Sequence, residues 1–435
     1  MQNPKSKIAI VGGGVLGLTL ALQFAKRGDV VTVFDSASEI GGLASVWNFG
    51  GAVWDKHYHV TLLSDLRLRE LLREIGLEDE LEWRTTRTGF YTNGELFSMS
   101  NSVEFLRFPP LDLVSKFRLG ATIFYASKLK DVDKLEQILV ADWLTKLSGK
   151  RTFEKMWLPL LRAKLGESYR ETSAAFIWAT IARMYAARKS GLKREMFGYV
   201  RGGYPNVFDK LKQHLEKIGV KIVLNSKVKS IEKFDGETTI IFEDSQTETF
   251  DKVILTTPAN VAARLCPQLS DVEKSKLNAI RYQGIVCASV LLKNSLSDFY
   301  VTNITDDAPF TAIIEMTALV DKSQFGGNAL IYLPKYVAPD DEMFDKSDDE
   351  IRETFVAALE KMHAHFDRRD VLEFKISRVR QVFALSTLDY SNNLPPMKTS
   401  LETVFVVNSA HIVHGTLNVN ETIQLAENAF DVVES

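Results

Sequence analysis

The spacing of apolar residues changes twice within the first fifty positions. "KIAIV", residues 7–11, is a short run rich in β-branched side chains and reads as a strand. Leu18, Ala21, Leu22 and Ala25 then recur at helical spacing, and Gly28 is placed to end that helix. "VVTVF", residues 30–34, returns to a strand. The turn between the first strand and the helix holds Gly12, Gly14 and Gly17, with Val15 and Leu16 before the last of them. The first glycine permits the turn, the second lets backbone approach a pyrophosphate, and the third lets the helix pack closely on the strand. Asp35, 18 residues beyond Gly17 and followed by Ser36, ends the second strand, where an acid can accept hydrogen bonds from a ribose diol. Strand, glycine turn, helix, strand and acid together predict an α/β, Rossmann-like dinucleotide-binding domain.

Three later stretches carry similar alternation. Val207, Leu211, Leu215 and Ile218 form a helical stripe ended by Gly219, and a strand begins over Val220 to Leu224. A strand from Val253 to Leu255 runs into Thr256, Thr257 and Pro258, and Pro258–Ala259 suits a helix start. A strand from Val404 to Val407 leads to a polar, glycine-bearing loop and a helix over Glu421 to Phe430. Backbone N–H groups from Gly415 to Asn420 would lie near that helix's start, where anions are stabilised.

Between these stretches the pattern differs. Leu111 to Tyr199 is helix-rich, and "VDKLEQILVADWLTKLSG" has helical spacing throughout. Within it, Trp157, Phe176, Trp178, Met184 and Tyr185 alternate with Arg162, Lys164, Arg183, Arg188 and Lys189. That composition fits a helical core with a charged outer face; the alternative is an apolar substrate tunnel or a membrane-facing surface. From "GIVCASVLLKN" to "NALIYLPKYV" the chain is β-rich, and an amphipathic helix follows. Arg378 and Arg380 lie beside the next strand. Arg380 is a candidate for an anionic substrate group, with a surface ion pair as the simpler alternative.

Composition narrows the class. At 435 residues the chain exceeds one ordinary core and implies two domains or one large insertion. With 45% hydrophobic and 25% charged residues it reads as globular and soluble, and a net charge of -3 gives no reason to expect a nucleic-acid partner. Cys266 and Cys287 form no CxxC pair and read as buried thiols in a reducing compartment. The early strand leaves no room for a signal peptide, and no apolar run is long enough for a transmembrane helix. A cytoplasmic protein is expected, with peripheral membrane contact open. His57 and His59 stand two apart, but no motif supplies the third ligand that a metal needs, so no metal is expected.

The glycine fingerprint, Asp35 and the pair Gly41–Gly42, followed by Leu43, resemble the extended flavin fingerprint of the amine oxidase, phytoene desaturase and protoporphyrinogen oxidase superfamily. The later segments are similar too. The resemblance implies non-covalent FAD and a discontinuous flavin domain: segments 1–62, 199–262 and 401–435, with a helical cap region at 63–198 and a β-sheet substrate domain at 263–400. It places the backbone of Val228 at the adenine and the turn at Thr257 and Pro258 near the dinucleotide. Ser409, Gly415, Leu417, Asn418 and Val419 would reach the flavin phosphate and ring. The family has an acid after the last strand, where Asn408 and Ser409 stand here. Trp54, His57, Tyr58 and His59 would lie near the isoalloxazine, with the histidines available for hydrogen bonding or proton transfer.

The chemistry so implied is hydride transfer from an organic substrate, apolar or amine-bearing, to flavin. A nucleotide-sugar mutase or a non-catalytic flavoprotein is the alternative. One GxGxxG favours oxygen, a quinone or a carrier protein as electron acceptor. Oligomeric state is left open.

Overall fold

The computed structural model describes residues 6–186, 196–234 and 236–435. Five parallel strands form the first sheet, in the order 221–223, 30–34, 7–11, 252–255, 404–406. Side chains alternate across it. Ile8 and Ile10 join a core with Leu18, Phe24 and Ala426, while Ala9 and Val11 join another with Ile231, Phe250 and Val253. Both faces are covered, which is why these strands are almost uniformly apolar. Helices Val15–Arg27 and Val419–Glu434 cover the first face; an antiparallel meander of Val228–Phe234, Glu237–Phe242 and Thr247–Phe250 covers the second.

The second sheet has seven strands; five of its six pairings are antiparallel and one, between Val301–Ile304 and Thr88–Thr92, is parallel. All eleven residues of the strand next to its edge, Tyr282–Leu292, are buried. Ile285, Cys287 and Leu291 face Trp54 and Phe49, whereas Val286, Ala288 and Val290 face the helix Asp348–Met362. Thr88–Thr92 and Glu95–Ser98 join this sheet from the region ahead of the helices.

The helical unit contains Leu113–Lys128, Val140–Ser148, Leu158–Leu165 and Ala174–Ala186 around Trp143, Trp157 and Leu161. "VDKLEQILVADWLTKLSG" is not one helix: a 3-10 turn at Asp133–Gln137 precedes an α-helix that begins at Val140. Arg188 and Lys189 lie outside the described residues. Cys266 and Cys287 are both buried free thiols. Among the described residues no helix is long and apolar enough to cross a membrane.

Candidate active site

The carboxyl edge of the parallel sheet is shaped for a close approach by a ligand. Gly12 has φ +122°, and a Cβ there would lie 2.3 Å from Thr256 Oγ1. A Cβ on Gly17 would meet the Gly12 carbonyl oxygen at 2.0 Å. Gly14 precedes the helix Val15–Arg27 with no side chain capping its first amides. The Gly41 amide donates to Gly13 O at 2.9 Å, and Gly42, with φ +56°, sits against Gly14 so closely that a Cβ would be 3.2 Å from the Gly14 Cα. The two glycine motifs are therefore one backbone surface. Val15 and Leu16 continue into the helix; Leu43 is half-buried and Ser36 exposed.

Asp35 orders this loop. Its carboxylate accepts from the amides of Gly13 (2.6 Å) and Ala37 (2.8 Å). Its own carbonyl accepts from Ser226, and Ala37 O accepts from Asn225, which brings the start of strand Val228–Phe234 to the acid. Val228 is buried there.

The last segment returns to the same edge. Val407 N donates to Leu255 O, and the helix Val419–Glu434 is capped by Asn418, whose side chain accepts from Glu421 N at 3.0 Å. Phe24 and Phe430, near the carboxyl ends of the two packed helices, have ring centroids 4.9 Å apart, so the helices run parallel with their amino ends together. Two buried polar groups at this edge have no partner among the described residues: Thr257 Oγ1, beside Pro258, and Asn408 Nδ2. The Asn408 Oδ1 is used by Ala410 N. A cradle of glycine backbone, two helix amino ends and unpaired donors fits a ligand rich in phosphate and hydroxyl oxygen.

Beyond Ser409 lies a cavity of about 420 Å³. The helical unit supplies Trp157, Leu161, Phe176, Ile177, Met184 and Tyr185; the seven-stranded sheet supplies Phe383; Ser409, Ile412 and His414 to Leu417, which follow the last strand of the parallel sheet, complete the wall. Tyr390, also in the wall, donates to Ala410 O at 2.7 Å. His414 is a non-glycine residue with φ +57°, a costly conformation, and its Nε2 is held 2.9 Å from buried Glu136. Lys164 faces the cavity rather than the outside; burial pushes its ammonium down to about 7. Arg183 is likewise internal, bidentate on buried Asp65 at 2.8 and 3.0 Å. Arg162 alone of these three is external, paired with Glu167.

The histidine pair splits. His57 Nε2 is 3.2 Å from Ser377 Oγ on the inner face of the seven-stranded sheet, and burial, then His59, pushes its imidazole down to about 3. His57 is therefore neutral at physiological pH. The His59 ring lies tilted at 51° against Tyr204, and its Nδ1 lies 3.6 Å from Asp55. Tyr58, between them, shares a 3.0 Å hydrogen bond with Tyr336, and burial raises its phenol to about 12. Among the described residues no three His, Cys, Asp or Glu side chains gather as a metal site.

Arg380 is not brought to this site. Strand residues alternate, and Val379 and Ser377 face inward while Arg380 points to the other face, over the Phe344 ring and 3.1 Å from Asp345. Its ion pair is exposed, and it is absent from the cavity wall.

The model of the flavin-containing amine oxidoreductases matches residues 17–418. The chain belongs to that family. Among curated relatives it is 26% identical to zeta-carotene desaturase of Synechocystis sp., over 69% of this chain and 67% of that one. It is 22% identical to hydroxysqualene dehydroxylase of Zymomonas mobilis, over 91% of each chain. The solved structure of an oxidoreductase from Methanosarcina mazei superposes with a TM-score of 0.77 at 17% identity, over 98% of this chain and 100% of the other, and shares the fold. As a member of this family the protein is a flavin-dependent oxidoreductase.

Sequence reasoning missed the inward turn of Lys164, because a basic residue between Arg162 and Glu167 looks external. It also missed the outer face of Leu113–Lys128. There Leu113, Val114, Phe117, Phe124 and Tyr125 are exposed, with Arg118 and Lys128 among them. A signal existed: residues 113–130 contain no acid.

Proposed function

We propose that the protein holds FAD at the glycine edge and oxidises an apolar organic substrate bound in the adjoining cavity. The observation that carries this is the cavity itself: aromatic and aliphatic walls that end on the Ser409–Leu417 segment. FAD, when bound, accepts a hydride from substrate carbon. The chain's residues do the rest. Gly12 to Gly17 would receive the pyrophosphate, Asp35 the ribose, Val228 backbone the adenine side, and Asn408 with the 415–419 amides the flavin end. The cavity walls orient the substrate and exclude water. Neutral His57, held by Ser377, and the Tyr58–Tyr336 pair give the inner sheet face fixed hydrogen-bonding groups without charge.

An amine substrate fits less well. The cavity wall contains Lys164 and no Asp or Glu among the described residues, so a cationic amine would meet a like charge. A nucleotide sugar would need clamps for a diphosphate, and no arginine among the described residues lines the cavity.

Substrate of this class resides in bilayers. The exposed stripe on Leu113–Lys128 suits an anionic membrane surface, with apolar rings and flanking bases. Ile123 of the same helix, and Tyr185, also line the cavity, so the stripe adjoins its wall.

The flavin-loaded protein should be mixed anaerobically with isoprenoid hydrocarbons and with primary amines. Bleaching of the visible flavin band by the former alone is expected; bleaching by amines alone would overturn the substrate class. Sedimentation with vesicles tests the surface. Phe117→Glu/Phe124→Glu should retain flavin and lose binding to anionic vesicles at least about tenfold, and unchanged sedimentation would refute the docking face.

A further inference from the structure

Lys164 belongs to the short helix Leu158–Leu165, whose other cation, Arg162, pairs outward with Glu167 at 2.8 Å. The Lys164 ammonium instead lies 3.7 Å from the centroid of the Tyr336 ring and 5.2 Å from that of Phe383. Those rings meet at 62°, with centroids 6.1 Å apart, and form a corner around the charge. Tyr336 is fixed in turn by the 3.0 Å hydrogen bond to Tyr58. Among the described residues Lys164 has no ion pair and no hydrogen bond, and no carboxylate lines the cavity.

An ammonium in such a place is costly. Aromatic faces offset only part of that cost, less than water or a counterion would. Packing alone gives no reason for the charge, since Met or Leu would fill the same space. An anionic group on a bound ligand would supply the partner that the described residues lack. Among the described residues one lysine and no arginine line the wall, which balances one negative charge; a diphosphate would leave charge buried and unpaired. Aromatic and aliphatic side chains make up most of the remaining wall and suit a hydrocarbon chain, with Thr180, Asn303 and His414 as polar points among them.

We propose that Lys164 recognises the carboxylate of an amphiphilic substrate whose hydrocarbon body fills the cavity. The Tyr336–Phe383 corner positions the ammonium, and the Tyr58 hydroxyl positions Tyr336. The assignment rests on the cavity being the substrate site, and it narrows the substrate from apolar to apolar with an acidic head.

Calorimetry on the flavin-loaded full chain with decanoate, decanol and decylamine separates the two readings. Decanoate should bind at least about tenfold more tightly than decanol, as a charge-assisted hydrogen bond provides, and decylamine should bind most weakly. Lys164→Met should bring decanoate down to the level of decanol without weakening decanol, while Lys164→Arg should keep the preference. Equal binding of decanoate and decanol to the wild-type protein overturns the role of Lys164 and leaves the apolar cavity standing. A preference that survives in Lys164→Met does the same. No binding of any of the three overturns both. Should Lys164→Met fail to fold, the wild-type ranking decides.

Discussion

The glycine edge and the cavity are made in different ways. At the glycine edge the working surface is backbone. Gly12, Gly14, Gly17, Gly41 and Gly42 matter for the side chain they lack, and Asp35 acts largely on neighbouring amides. In the cavity the working surface is side chains, and they come from the helical unit, the large sheet and the last loop. The first kind of site tolerates almost no added atom. The second tolerates changes of shape and is sensitive to charge. One fold can thus keep a fixed cofactor edge while its substrate side varies.

The sharpest way to break this contrast is Gly17→Ala. Its Cβ would overlap the Gly12 carbonyl, a backbone atom that cannot step aside. Loss of bound flavin and destabilisation of about 3 kcal/mol or more are expected, read from flavin absorbance and denaturant unfolding. Gly120→Ala is the matched control: nothing lies within 4 Å of its Cβ, it sits in the helix Leu113–Lys128, and a gain of up to about 1 kcal/mol is expected. Equal behaviour of the two variants would contradict the backbone account.

A smaller effect concerns His57. Its folded-state value of about 3 lies below the ordinary 6.5, so the folded protein resists protonation. The resulting stability is full above pH 6.5 and is lost as pH falls from there towards 3. At pH 5 the loss is about 2 kcal/mol, and His57→Gln should remove that slope while changing stability at pH 7 by no more than about 1 kcal/mol. An unchanged pH profile in the variant would show that His57 is not held neutral. The smallest effect is expected from Arg380→Ala: under about 1 kcal/mol in stability and no change in flavin reduction, as befits an exposed ion pair. A collapse in reduction rate would return Arg380 to the site.

The same contrast explains what the sequence discloses. Gly12, Gly14, Gly17 and Asp35 are read from local spacing, because a tight turn and a helix start constrain adjacent residues. The alternation of Ile8 and Ile10 against Ala9 and Val11 is equally local. Lys164 meeting Tyr336 across 172 positions leaves no such trace, and neither does Tyr58 meeting Tyr336. Arg380 shows the intermediate case. Its strand was legible, but the face it occupies depends on register: Val379, opposite Ile285, faces inward, and one step along the strand reverses the direction. The break before Val140 was hidden because a 3-10 turn and an α-helix share similar apolar spacing.

The central claim is that the cavity serves the flavin. It is tested most directly by the visible spectrum of the bound flavin during an anaerobic titration with an apolar ligand that cannot be oxidised. A saturable change in the flavin band is predicted, because filling the cavity removes water beside Ser409 and Gly415 to Leu417. The change should disappear in Ile177→Trp, which fills the cavity from the helical side without touching the glycine edge. A ligand that binds to saturation and leaves the flavin spectrum unaltered would contradict the account.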